Sequence, residues 1–146
     1  MLPRICDIAI RSLRLGVFVR ESKYLKFSPE FIRIIDLRHS SHGLTVTLDE
    51  LYVIYSSVIA VSNLDGAIAE LGVYKGTTAQ LIAEVKKQKE LFLFDTFDGM
   101  PNCKIGGYDD WELNTHKDTS LSTVQSYLSK YDNVQFVVGT FPESLS

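Results

Sequence analysis

Ala67-Ile68-Ala69-Glu70-Leu71-Gly72-Val73-Tyr74-Lys75-Gly76-Thr77-Thr78, followed by Leu91-Phe92-Leu93-Phe94-Asp95-Thr96-Phe97-Asp98-Gly99-Met100-Pro101, sets the architecture of this chain. A short apolar run reaches an acid and a glycine, and a second glycine four residues on opens a helix. A second apolar run then ends on an aspartate. This is the pattern of the front half of a nucleotide-type site on a parallel sheet. Glycine lets backbone approach a ligand, a helix N-terminus offers free N–H groups, and the second acid can accept from ribose hydroxyls.

Working outward, the alternation predicts strand, helix, strand, helix, strand. Residues 67–71 and 91–94 read as buried strands, the second too uniformly apolar for a sheet with one wet face. Residues 77–89, rich in Ala, Leu, Ile and Lys, read as a helix. A long loop over 96–117 carries Gly99, Pro101, Gly106, Gly107 and Trp111. Asp118 or Thr119 can cap a helix reaching Tyr131, and 134–138 is a third strand. Strands alternating with helices imply parallel pairing through right-handed crossovers, an α/β fold. Upstream, Thr47 and Glu50 form a capping-box pair. Leu48, Leu51, Tyr52, Tyr55, Val58 and Ile59 then give an apolar helical stripe to about Ser62.

Residues 1–43 form a basic, weakly patterned leader in which parts of 3–15 and 29–37 can be short helices. Ser40-Ser41-His42-Gly43 breaks it from a domain over 44–146. The charge follows that division. Residues 1–40 hold eight Lys/Arg against four Asp/Glu, and 41–146 hold seven against fourteen. A basic arm before an acidic body can touch an anionic membrane or a partner, or be simply a solvated helix. The net charge of −3 argues against a general nucleic-acid binder. Hydrophobic content of 45% and charged content of 23% are those of an ordinary globular chain of one domain. Cys6 and Cys103 lack metal-ligand spacing and read as free thiols of a reducing compartment. No apolar run approaches the ~20 residues of a membrane helix. Arginines scattered through 1–18 do not match a signal peptide. The expected location is cytoplasmic.

Glu70 distinguishes the first turn from a dinucleotide fingerprint. A carboxylate there repels a pyrophosphate but suits a ligand with a cationic amino-acid end, which favours S-adenosylmethionine over NAD. Asp95 lies 23 residues after Gly72, near the roughly 20 expected of a ribose-binding acid. A glycine-containing β–α turn without a ligand, with Asp95 as a loop cap, fits the same residues. His39, His42 and His116 do not cluster with carboxylates and read as surface or loop histidines. The acidic, aromatic run Tyr108–Glu112 can close over a site, or dock through Trp111. No Ser/His/Asp or Cys/His arrangement stands out for covalent catalysis.

Residues 69–76 and 93–101, then Asp118-Thr119-Ser120, then Gly139-Thr140-Phe141-Pro142-Glu143-Ser144, resemble the macrocin/mycinamicin-type sugar O-methyltransferases over about 43–146. The resemblance implies a Rossmann-like class I methyltransferase fold that moves a methyl group from S-adenosylmethionine to a sugar hydroxyl, usually with Mg²⁺. It places Glu70, Gly72, Tyr74 and Gly76 around the methionine end of the cofactor, with Thr77 also among the cofactor-binding residues. Asp95 would sit at the ribose with Thr96 and Phe97 beside it, and Gly139, Thr140 and Phe141 near the adenine.

Members of that family continue to a fourth strand whose aspartate-rich end supplies metal ligands and the catalytic base. This sequence ends at Ser146, before that point. The expectation is therefore an incomplete fold of three parallel strands behind a helical N-terminal region. It would be the cofactor-binding half, with no catalytic or metal residue of its own. Its partners would be a small-molecule methyl donor and a sugar or glycoside acceptor, with self-association through an exposed sheet edge. The rival reading is a truncated, non-catalytic remnant or interaction protein that keeps a partial cofactor pocket. A nucleotide-binding oxidoreductase fragment is a second rival, and Glu70 speaks against it.

Overall fold

The computed structural model describes residues 28–38, 46–100 and 115–145. The chain divides into two compact units, residues 1–44 and 45–146. In the first, helix α1 spans Pro29–Arg38, where proline opens a helix with its φ already set and Ser28 Oγ accepts from the Phe31 N–H. Phe31, Ile32, Ile34 and Ile35 are buried. The expected helix within 3–15, the breaker at 40–43 and both cysteines lie outside the described residues.

The second unit begins with α2, Leu48–Ala60. Both arms of its capping box form. Thr47 Oγ1 accepts from the Glu50 N–H, and the Glu50 carboxylate accepts from the Thr47 N–H at 2.8 Å. The Thr47 hydroxyl, donating to the Glu50 carboxylate at 2.7 Å, and then the Thr47 N–H hold the Glu50 carboxyl below its usual range. Leu48, Leu51, Tyr55 and Val58 form the buried stripe, and α2 packs against α3.

Three parallel strands follow in the order β1 (Ile68–Leu71), β2 (Leu91–Asp95), β3 (Val134–Val138). Helix α3 (Thr77–Val85) connects the first pair and α4 (Leu121–Leu128) the second. The chain is therefore an α/β protein whose three-stranded sheet is consistent with an incomplete Rossmann-like fold. Register aligns Glu70 with Leu93 and Phe136, and Leu71 with Phe94 and Val137. One face thus carries Leu91 and Leu93, both fully buried, with α3 packed on β2. The opposite face carries Ala69, Leu71, Phe92 and Phe94 and is wetter, with Leu71 56% exposed. The uniformly apolar run of β2 predicts two covered faces. Among the described residues, one of them is only half covered.

Helix boundaries differ from the periodicity, and α4 ends at Leu128 rather than Tyr131. Helix α3 stops at Val85 rather than Lys89, because Lys86 is drawn inside and Lys87 takes φ 56°. Lys86 is 2% exposed, and its Nζ donates to the carbonyls of Lys89 (2.7 Å) and Asp132 (2.8 Å). Burial lowers its pKa. Helix α4 is capped by neither Asp118 nor Thr119. Ser120 Oγ accepts from the Thr123 N–H at 3.2 Å, and the two residues before it are committed elsewhere.

Candidate functional site

The C-terminal ends of the three strands open onto a cavity of about 360 Å³. Ligands of open parallel sheets bind on this side, and the volume suits a small organic molecule. Leu71, Phe94, Met100 and Phe141 supply most of its apolar wall. Asp95, Thr96, Thr119, Thr140, Tyr74 and His116 supply polar groups, and Gly72, Gly99 and Gly139 supply bare backbone.

Gly72 follows β1 with φ 83°, a conformation that L side chains rarely adopt. A Cβ built there meets no atom within 4 Å. Since Gly72 lines the cavity, a side chain there would project into that open space rather than against packed atoms. Gly76 uses the same freedom differently. At φ 79° it starts α3, and a Cβ would lie 3.0 Å from Val124 Cγ1 and 3.5 Å from the Tyr127 ring, so its bareness serves the contact between α3 and α4.

Asp95 organises the turn. Its Oδ2 accepts from the N–H groups of Val73 (2.6 Å) and Tyr74 (2.9 Å), and its Oδ1 accepts from Phe97 N–H at 2.7 Å. A carboxylate has about four acceptor positions. Three are filled by backbone, and Thr96 Oγ1 stands 3.4 Å from Oδ1. The single Thr96 hydroxyl proton has its shorter bond to the Gly99 carbonyl, at 2.6 Å, which leaves Oδ1 one acceptor position. The Asp95 carbonyl also accepts from Gly139 N–H at 3.0 Å, tying the ends of β2 and β3.

A second network closes the far wall. Asp118 accepts from Tyr74 Oη and from Lys75 Nζ, each at 2.5 Å, and Thr119 Oγ1 donates to the Tyr74 carbonyl at 2.8 Å. His116 meets the Tyr74 ring edge-on, with centroids 4.6 Å apart. Lys75 and Tyr74 hold the Asp118 carboxyl below its ordinary range, and Asp118 raises the Lys75 pKa. The turn after β1 is thereby fastened to the segment before α4. Thr96 Oγ1 donates to the Gly99 carbonyl and Met100 N–H to the Thr115 carbonyl, shaping the neighbouring wall.

Of the site residues expected from sequence, the cavity brings together Gly72, Tyr74, Asp95, Thr96, Gly139, Thr140 and Phe141. Four stand behind it. Glu70 accepts from Thr78 Oγ1, joining strand end to helix start. Gly76 packs on α4, and Thr77 is buried at the start of α3. Phe97 is 4% exposed with its ring against Phe136, centroids 6.0 Å apart. The expected set leaves out Phe94, which lies in a strand expected to be buried, and His116, expected to be a surface or loop histidine. Both line the cavity. Strand alternation sets Phe94 on the opposite face from Asp95 and so does not flag it, and nothing local flags His116. The aromatic run 108–112 lies outside the described residues. Among the described residues, no cluster of three His, Cys, Asp or Glu is placed to hold a metal ion, and no helix is long and apolar enough to cross a membrane.

A family model described as macrocin-O-methyltransferase (TylF) matches residues 39–146, more than half of the chain. The chain belongs to the macrocin-O-methyltransferase family. The match covers every element from α2 onward and therefore the whole cavity wall. The family is one of O-methyltransferases, enzymes that draw on a small-molecule methyl donor. A search of curated proteins returns no match.

Proposed function

We propose that this chain binds S-adenosylmethionine at the strand-end cavity and serves methyl transfer to a sugar hydroxyl. The observation that carries the reading is the open space over Gly72, in a cavity that also holds Asp95, within a chain of this family. Any side chain at position 72 would project where a ligand lies against backbone. The residues fit the donor. Gly72 and Tyr74 would face its methionine end, Asp95 Oδ1 and Thr96 its ribose hydroxyls, and Gly139, Thr140 and Phe141 its adenine. When bound, S-adenosylmethionine supplies a sulfonium methyl group that a hydroxyl oxygen displaces in line.

The chain's own residues bind and orient. The Asp95 carboxylate fixes the turn that presents Gly72, and the Tyr74–Asp118 bond fixes the opposite wall. Leu71, Phe94, Met100 and Phe141 give the donor an apolar wall. The described residues do not fit a divalent cation, and no step here runs through one. We further propose a cytoplasmic location and self-association through β1, beyond which the described residues place no strand.

Isothermal calorimetry with S-adenosylhomocysteine tests the donor site. Binding that is lost in Gly72→Val is the expected result, and absence of binding to the wild-type chain overturns the reading. A labelled methyl donor offered with a panel of glycosides and sugar nucleotides, against catechols as controls, tests the acceptor class.

A further inference from the structure

We propose that Asp95 is a specificity-determining residue: its carboxylate is an anion supplied by the chain itself. Seated among the N–H groups of Val73, Tyr74 and Phe97, it turns the cavity against nucleotides carrying phosphate at the glycine turn. Backbone N–H groups gathered at a strand–glycine–helix turn form an anion site, and in dinucleotide-binding folds a pyrophosphate takes it. Here the same kind of donors are already engaged, at 2.6, 2.9 and 2.7 Å, by one side chain. Charge-assisted bonds of this length are strong and directional.

Three observations extend the argument. Asp95 itself lines the cavity, so an entering phosphate would meet the carboxylate rather than free donors. Among the described residues, no Lys or Arg lines the cavity, and the nearby Lys75 is paired with Asp118. Glu70, on the adjacent strand end, sets a second carboxyl group beside the same turn, where it accepts from Thr78 Oγ1. A neutral or cationic nucleoside meets none of this opposition. The arrangement therefore discriminates by a built-in repulsive element as much as by new contacts.

The inference does not depend on the methyl-donor reading, because it concerns the ligands that the turn refuses. Removing the carboxylate should expose three donors at a spot continuous with the cavity. The test uses inorganic phosphate and ADP as probes, with sodium chloride at matched ionic strength as control. In the wild-type chain, the amide resonances of Val73, Tyr74 and Phe97 should stay in place as phosphate is added. The unfolding midpoint should not rise beyond the chloride control. In Asp95→Ala, phosphate should raise the midpoint by about 4 °C at roughly ten times its dissociation constant, and ADP should do the same. Movement of those three wild-type amides with phosphate overturns the inference. So does a folded Asp95→Ala chain that gains nothing from phosphate or ADP over chloride. If Asp95→Ala does not fold, the wild-type amide titration decides alone. S-adenosylhomocysteine added to the same samples separates the two readings. A wild-type chain that ignores both phosphate and S-adenosylhomocysteine upholds this inference and fails the donor proposal.

Discussion

Asp95 Oδ2 accepts the N–H of Val73 at 2.6 Å, joining the end of β2 to the turn after β1 across 22 residues of sequence. The turn needs such a partner. Gly72 and Tyr74 take positive φ, and beyond the last ladder bond, Gly72 N–H to the Phe94 carbonyl, the N–H groups of Val73 and Tyr74 find their acceptor in Asp95. Val73 itself is 3% exposed, so its donor has little water to turn to. The acid at the end of the second strand is thus a structural member of the site before it meets any ligand. Asp95→Ala should destabilise the chain by about 1.5–3 kcal/mol, the range for hydrogen bonds to a charged group. Urea denaturation followed by circular dichroism measures this. A loss of donor affinity without a loss of stability would mean that the carboxylate serves the ligand alone.

The two glycines of the turn should separate binding from stability. Gly72→Val places its side chain in open space over the cavity, at a cost of roughly 1–3 kcal/mol in backbone strain. It should remain folded and lose S-adenosylhomocysteine binding. Gly76→Ala brings a methyl group to 3.0 Å from Val124 Cγ1 and forces a left-handed alanine. It should cost more than strain alone, because α4 must shift. Its folded fraction should still bind. Thermal melts paired with calorimetry on both variants read the contrast, and equal binding losses would show that the turn acts as one rigid unit.

Much of this architecture is legible in the residues, and the exceptions share a cause. The capping box Thr47–Glu50, the three strands and the parallel order all follow from local pattern, because each is decided within a few residues. The role of Asp95 is not local. Its partners are N–H groups freed by positive φ at Tyr74 and Phe97, residues that carry no glycine signal. Phe94 and Phe97 exchange their expected places for a related reason. A uniformly apolar strand does not declare which face its helices cover. The cavity face takes Phe94, whose ring meets Phe141 edge-on at 5.8 Å, and the helix-covered side takes Phe97. Asp118 reads as a helix cap by type and position. It is instead drawn to Lys75 and Tyr74, which lie 43 and 44 residues earlier, and Ser120 inherits the cap.

The clasp made by Asp118 should have a defined pH range. Lys75 and Tyr74 lower its carboxyl pKa, so its stabilising contribution is complete above the unfolded value of about 3.9. The contribution is lost as pH falls through the lower folded value. Lys75 behaves in mirror image. Its raised pKa gives a contribution present below about 10.4 and lost as pH rises through the higher folded value. Donor affinity and the environment of Tyr74 should therefore be flat in this respect from about pH 5 to 9. Both partners are exposed, so the pair should weaken with salt. Asp118→Asn should keep a contact with Tyr74 while losing the salt response. Calorimetry at 50 mM and 500 mM sodium chloride, on wild type and variant, checks both statements.

The last prediction concerns the outer side of β1. Ile68 N–H bonds to the Glu90 carbonyl and Gly72 N–H to the Phe94 carbonyl, so the alternate residues, Ala69 and Leu71, turn their backbone groups away from β2. Among the described residues, no strand lies beyond them. Natural edges are blunted by lysine, proline or a bulge, and Ala67-Ile68-Ala69-Glu70-Leu71 has none of these along that side. A two-fold pairing centred on Ala69 would set Ala69 opposite its copy and Leu71 opposite Ala67. It would also avoid the like-charge contact of Glu70 with Glu70 that a register centred one residue later creates. The chain should therefore self-associate with rising concentration. Ala69→Lys, which adds a charge at the edge without touching the cavity wall, should shift the distribution towards monomer. Light scattering coupled to size-exclusion chromatography across a hundredfold concentration range reads the outcome. A wild-type chain that stays monomeric throughout would show that this edge is protected in solution.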